Sequence, residues 1–407
     1  MTKVNKWTLG LAAVGLVSLP GMVQAEEKPN QLLTALSSTT ISGYVDTSAH
    51  WTLGTGNANP PAYAFNLPSK QDGFNVNVVN VVIEKPLDEG TWSAGYKVDL
   101  IFGPNAVGWN NSVNGDGTSD VGIKQAYVAL RAPVGNGIDF KIGSFDTIIG
   151  YEVFNAGSNP NYTRSYGYTI EPTEHTGILG SYQINKMIGV SAGIANTWAA
   201  GINARSARTE SSKSYMGAVT LTAPDDMGFL AGSALYLGIV DGYNGLVGND
   251  VTSYYLGTTL ATPLKQLKLG ASWDYAVAHD NSFGPTGYAQ AVALYASVQA
   301  TEKLSFHARG EWADITDGYA TGGKFNSTVG GIPSEVLALT GTIQYDLWAN
   351  VLSRVEVRWD HSIAEGRPFG GTSSGAYARP TEESFGNPHG AHLKNSVLIA
   401  ANIIYKF

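Results

Sequence analysis

The ionisable residues of this sequence fall two apart in extended runs and form few compact motifs. In "SFHARGEWAD", His307, Arg309 and Glu311 alternate with Phe306, Ala308 and Gly310. In "SRVEVRWD", Arg354, Glu356 and Arg358 alternate with Val355 and Val357. Residues two apart on a strand share one face, so each run presents a row of charges. General acid–base work would need such groups beside a nucleophile, and the spacing places no Ser or Thr beside His307, Arg309 and Glu311. "GTSSG" (371–375) fits a nucleophile pattern but lies in a Gly/Ser-rich loop without the strand-to-helix setting that motif requires. "NGDGTSD" offers Asn114, Asp116 and Asp120 to calcium without the bidentate Glu, so a plain polar loop fits it better. His389 and His392 have helical metal spacing, yet Pro388 and Gly390 indicate an exposed loop. The sequence therefore points to no enzyme, cofactor or metal.

Composition indicates which elements carry these rows. Charged residues make up 14 % of the 407 positions, well below the usual share of a soluble domain, and Cys is absent. Residues 1–25 read as a secretory signal peptide: Lys3 and Lys6, an apolar stretch from Leu9 to Leu19, and the small-residue site Val23-Gln24-Ala25. Its removal takes two lysines and moves the net charge from −8 to −10, an acidity that argues against nucleic acid. An exported chain without Cys holds together without disulfides. Residues 26–38 are read as a short periplasmic lead, with helical turns in "NQLLTALSS", and 39–407 as one domain.

Across that domain the hydrophobic period is two. In "EVLALTGTIQYDL", Leu337, Leu339, Ile343, Tyr345 and Leu347 alternate with Ala338, Thr340, Thr342, Gln344 and Asp346. Such alternation predicts strands with one greasy and one wet face. About sixteen are expected, at 39–53, 72–85, 91–103, 121–132, 136–146, 174–185, 186–199, 213–223, 228–241, 250–262, 266–279, 286–300, 303–316, 334–347, 350–363 and 395–407. The second breaks its alternation at "FNVNVVNVV", which suggests a bulge. Tight links such as "KPLDEG", "APVGNG", "APDDMG", "TPLKQ" and "ATEK" alternate with long ones at 54–71, 104–120, 147–173, 200–212, 317–333 and 364–394. One trimmed rim and one elaborate rim suit an all-β, up-and-down antiparallel transmembrane barrel.

A soluble sandwich would alternate too, but so many strands would need a second apolar layer. Closing the ring instead leaves no unpaired backbone in hydrocarbon. Trp51, Trp92 and Trp198 near strand ends fit an interfacial girdle. The last strand, "SVLIAANIIYKF", turns Tyr405 and Phe407 to the lipid face.

On the wet face, Lys97, Arg131, Lys141, Arg309, Arg354 and Arg358 are candidate pore-lining cations, with Glu356 among them. The long segment 147–173 starts after Asp146, carries Glu152 and Arg164, and lies where an inward fold would narrow the lumen. Facing rows of opposite charge would set a transverse field that screens solutes by charge. The bland alternative is that each charge is merely solvated or paired across strands.

"SGYVDTSAHW" (42–51), "QAYVAL" (125–130), "FKIGSFDTIIGYEVFNAGSNPNYTRSYGYTIEPTEHTG" (140–177) and the aromatic terminus together resemble the OmpL-like β-barrel porins of Gram-negative bacteria. The resemblance implies an outer-membrane porin whose water-filled channel passes small hydrophilic solutes and ions, and it brings no catalytic residues. Outer-membrane lipid and the barrel-assembly machinery are the implied partners, with a homotrimer by analogy. The alternative is a barrel sheathing a periplasmic or surface partner such as an electron-transfer protein. A TonB-dependent transporter is disfavoured, because about 13 residues ahead of the first strand cannot make a plug domain.

Overall fold

In the computed structural model the alternating segments pair edge to edge into one closed sheet. The strands are β1 (Thr40–Thr52), β2 (Gly73–Lys85), β3 (Ser93–Phe102), β4 (Val121–Ala132), β5 (Ile138–Asp146), β6 (Glu174–Gln183), β7 (Ile188–Ala195) and β8 (Ser214–Thr222). They continue with β9 (Ala234–Asn244), β10 (Asn249–Ala261), β11 (Leu267–His279), β12 (Gly287–Gln299), β13 (Leu304–Ile315), β14 (Glu335–Trp348), β15 (Val351–Ser362) and β16 (Asn395–Lys406). Each pairs antiparallel with its sequence neighbours, and β1 pairs with β16 to close the barrel. The structure describes residues 38–54, 57–88, 90, 92–107, 120–198, 202–203, 205–206, 211–244, 249–279, 287–316, 335–364, 366–371 and 391–407. The signal peptide, the "NQLLTALSS" turns (but for Ser38), most of "NGDGTSD", all of "GTSSG" beyond Gly371, and His389 lie outside them.

The period-two pattern explains the two faces. On β14, Leu337, Leu339, Ile343 and Tyr345 are exposed to the outside while Val336, Ala338, Thr340, Thr342 and Gln344 are buried within. On β16, Ile399, Ile403, Tyr405 and Phe407 face out, and Leu398, Ala400, Asn402 and Ile404 face in. The terminal Phe407 closes the seam: its N–H and carbonyl exchange 3.0 Å hydrogen bonds with Gly43 of β1. Gly43 is required there, since a Cβ would strike the Asn80 carbonyl oxygen at 2.1 Å and the Phe407 ring at 2.6 Å.

Bulges adjust the pattern where it breaks. The β1–β2 register skips Asn77 between Val76 and Val78, so both Asn77 and Val78 turn inward and are fully buried. The β3–β4 register likewise skips Lys124, which turns inward beside Gln125.

Two expectations need correction. The ninth strand begins at Ala234, because "APDDMG" is no tight turn. Pro224, Asp225 and Asp226 start a 3-10 stretch, Asp225–Leu230, and Gly228 and Gly232 at φ +62° and +79° steer the chain back. Trp198 is also no girdle residue. It is 1 % exposed, and its Nε1 donates to Ser253 Oγ at 3.0 Å, whereas Trp51 and Trp92 are exposed.

Long links on one rim fold into the ring. The link 147–173 (L3) includes the short helix α1 (Tyr166–Ile170) and packs against the inner wall. Phe154, Ala156 and Tyr162 join Tyr44, Val78, Ile101, Leu398 and Ile404 in one apolar cluster. Ile148 and Ile149 join β5–β11 in a second. Tyr166 and Ile170 seat on Ala289, Ala291, Ala313 and Ala338 in a third. The inner face is thus not polar throughout, and small apolar residues line it where a loop must sit close. The link 53–72 (L1) enters as well: Tyr63, Ala64, Asn66 and Lys70 are buried. The Ala64 N–H donates to Thr169 Oγ1 of L3 at 2.9 Å, and Asn59 pairs with Gly370 from the last long link.

Candidate functional site

The inner wall of β13–β15 carries a ladder of ionisable side chains, two apart on each strand because the strand period is two. Arg309 lies between carboxylates, with Nε donating to Glu311 at 2.7 Å and Nη1 to Glu152 of L3 at 2.7 Å. Nη1 also donates to the Thr163 carbonyl at 2.7 Å. Arg358 donates to Asp360 at 2.9 Å and to the Arg164 carbonyl at 2.6 Å, and its guanidinium lies 3.7 Å from the centre of the Tyr63 ring of L1. Arg354 donates to the Ala156 and Asn159 carbonyls, each at 2.7 Å.

Glu356 is not paired with its arginine neighbours. It accepts the N–H groups of Tyr162 and Thr163 at 2.6 and 2.9 Å and the hydroxyls of Thr163 and Thr342, both at 2.6 Å. From the loop side, the Ser165 N–H donates to Glu152, the Tyr166 N–H to Glu311, and the Tyr166 hydroxyl to Asp360, each at 2.8 Å. Expected rows facing L3 across water are therefore, on this wall, rows in direct contact with it. A loop crossing a lumen leaves backbone groups that no ladder satisfies, and the charged wall supplies their partners. Charge-assisted bonds of this kind are the strong ones.

Arg164 sits within the loop, its Nη atoms donating to the carbonyls of Tyr162 and Phe154 and its guanidinium over the rings of Phe65 and Tyr168. Burial pushes the Tyr168 and Tyr166 phenols well up from their ordinary range, so both stay neutral. Lys70 of L1 is buried, donates to Asn105 Oδ1, and is brought down to about 7, by desolvation first, against the pull of Asp46.

The remaining candidates lie across the lumen on β2–β5. Lys97 is 3.3 Å from Glu84, and Arg131 makes a forked contact with Asp139, with both N···O distances at 2.6 Å. Lys141 lies over the Tyr127 ring at 5.1 Å. Asp146 meets Lys124 at 2.5 Å, with Asp99 3.8 Å from the same ammonium. Lys124 escaped the sequence reading because it occupies the bulge, where alternation fails. L1 escaped it too, although the apolar run "PPAYAF" is a signal for a buried loop.

His307 does have a serine beside it: Ser297 Oγ lies 2.8 Å from Nδ1. Among the described residues no carboxylate orients that ring, so the pair lacks the third member of a hydrolytic triad. Arg309 and Glu311 are instead committed to L3.

Residues 38–405 match the family model described as "Putative beta-barrel porin-2, OmpL-like". The chain belongs to this porin family. It is an outer-membrane porin, a channel for passive diffusion. No curated protein matches the sequence. Among solved structures, the porin resembles the anion-selective porin from Comamonas acidovorans, with 12 % identity, a TM-score of 0.55, and coverage of 91 % of this chain and 99 % of that one. It also resembles the outer membrane channel DcaP of Acinetobacter baumannii (12 %, 0.54, 91 % and 97 %). OmpT of Vibrio cholerae is similar at 12 %, 0.52, 91 % and 97 %. At this identity the likeness is one of fold.

Proposed function

We propose that the porin is a restricted channel: small hydrophilic solutes and ions diffuse past L1 and L3, and the ladder of β13–β15 keeps those loops in place. The observation that carries this reading is the set of buried bonds from Arg309, Arg354, Glu356 and Arg358 to L3. They turn a wide sixteen-stranded ring into a narrower passage. Lys97, Arg131, Lys141 and the Lys124–Asp146 pair are the proposed lining on the facing wall, where charge sorts the permeating ions. Glu152, Arg164, Arg309, Arg354, Glu356 and Arg358 act in this proposal by shaping the constriction. The sheathing of a folded partner is disfavoured, since L1 and L3 already take up lumenal space.

Residues 1–25 are proposed as a cleaved signal peptide and 26–38 as a periplasmic lead. The barrel would then reach outer-membrane lipid through the barrel-assembly machinery, with Phe407 exposed for it. A homotrimer is the proposed assembly, in keeping with OmpT of Vibrio cholerae, whose fold is similar and which has a trimer form. The test is planar-bilayer recording of the purified barrel under a salt gradient. Step-like currents smaller than those of an unobstructed sixteen-stranded barrel are expected, and their absence would overturn the reading.

A further inference from the structure

Between L1, L3 and β1 lies a group of buried polar atoms that includes two cations, Arg164 and Lys70. Arg164 is 3 % exposed, and its two contacts are to neutral carbonyls, those of Tyr162 and Phe154. Its Nε has no hydrogen-bond partner. Lys70 is 2 % exposed, and its ammonium donates to the neutral amide oxygen of Asn105. Among the described residues no carboxylate lies within ion-pair distance of either cation. Asp46, the nearby acid, is turned to other partners and accepts from Asn77 and Asn402 at 2.9 and 2.6 Å.

Two further atoms in the same place lack partners, the Tyr44 hydroxyl and His50 Nδ1. The apolar contacts show that these groups are neighbours. Tyr44 clusters with Phe154 and Tyr162, whose carbonyls hold Arg164, and with Phe65, whose ring lies under the Arg164 guanidinium. His50 Nε2 lies 2.9 Å from the Tyr162 hydroxyl. Ala106, next to the Lys70 partner Asn105, belongs to the same cluster.

A buried cation left without a counter-charge is costly, and a buried polar atom left without a bond less so. Here two cations without an ion-pair partner share a buried region with an orphan N–H and an orphan hydroxyl. One small anion would supply a counter-charge and accept from such donors. We propose that Lys70 and Arg164 hold a small monovalent anion of halide type, with the Tyr44 hydroxyl as a further donor, and that it ties L1 to L3 and to the barrel wall. Asp46 and Asp99 both lie within electrostatic reach of Tyr44, and their charges oppose a multiply charged ion. The channel need not conduct for this site to exist.

Bromide serves as the probe, because it replaces chloride and scatters anomalously. Crystals of the detergent-solubilised full barrel grown in sodium bromide should show an anomalous peak in contact with Lys70 Nζ and Arg164 Nε. A water alone at that position would overturn the proposal. In solution, the unfolding temperature of the wild type should rise by a few degrees from sodium gluconate to sodium chloride at equal ionic strength, and saturate with chloride. In Lys70→Met and Arg164→Met that chloride increment should be lost, while Lys186→Met, in a turn on the opposite rim, should keep it. An increment unchanged in both variants would also overturn the site. Bilayer recording of the same sample separates the two readings: currents without bromide density remove the ion and leave the channel, and density without currents does the reverse.

Discussion

Arg309 joins L3 to the wall by charge, because it stands between Glu152 from the loop and Glu311 from its own strand with its side chain fully buried. Its replacement by Met leaves buried Glu152 without its cation and Glu311 with Arg358 alone, 3.6 Å away. We expect a loss of about 3–5 kcal/mol and a looser L3, read as a lower unfolding temperature together with larger, noisier current steps. The Arg131–Asp139 pair is a fork on one carboxylate and is partly exposed, at 24 % and 29 %. Arg131→Ala should therefore cost under about 1 kcal/mol, and unchanged unfolding beside a shifted reversal potential would mark it as lining and not support. Lys70 carries the pH dependence. Its value in the folded protein, about 7, lies below that of the unfolded chain, so unfolding takes up a proton between about 7 and 10. Stability should rise with pH across that window in gluconate. Lys70→Met should flatten the rise, and a wild-type curve flat from pH 7 to 10 would contradict the burial that lowers this lysine.

At the scale of elements, the strands and the inserted loops do separable work. The seam between β1 and β16 is a backbone ladder of those two strands, so L3 can be shortened without removing it. Replacing 153–171 by a short Gly-Ser link should leave a heat-modifiable barrel whose single-channel conductance is several-fold higher. The same conductance with and without the segment would mean that L3 does not constrict the passage. The seam is more sensitive. Gly43→Val drives a side chain into the Asn80 carbonyl and the Phe407 ring. The closing strand should then detach at a markedly lower temperature in detergent, measured by the gel shift on heating. Both outcomes follow from where backbone hydrogen bonds go: strands satisfy theirs with neighbours, whereas L3 relies on side chains of the wall.

For the whole molecule, an alternating sequence is enough to specify a cylinder. Turning Leu337, Leu339, Ile343 and Tyr345 one way and Thr340, Thr342 and Gln344 the other allows one register per strand pair, since a slip of one residue would exchange oil and water faces. The number of strands, their order, the closing strand and the inward rows of Arg309, Arg354, Glu356 and Arg358 were all legible in that way. So was the place where L3 would enter. The start of β9 was not, because Pro224 and the acids after it serve a turn and a 3-10 start equally well. Nor was the burial of Trp198, because closeness to a strand end does not say which side of the wall a residue meets.

By itself the sequence determined the barrel and its polarity of faces, because a period of two is a local property that survives without any knowledge of contacts, and its kinship with porins was carried by the resemblance of particular segments. Only the tertiary structure decided what the inward charges do. Whether Arg358 faces water or the Tyr63 ring, and whether Glu356 meets an arginine or two backbone N–H groups, depends on loops that return from 193 to 295 residues away. No periodicity encodes such meetings. They are set when L1 and L3 are packed into a ring whose shape all sixteen strands fix together.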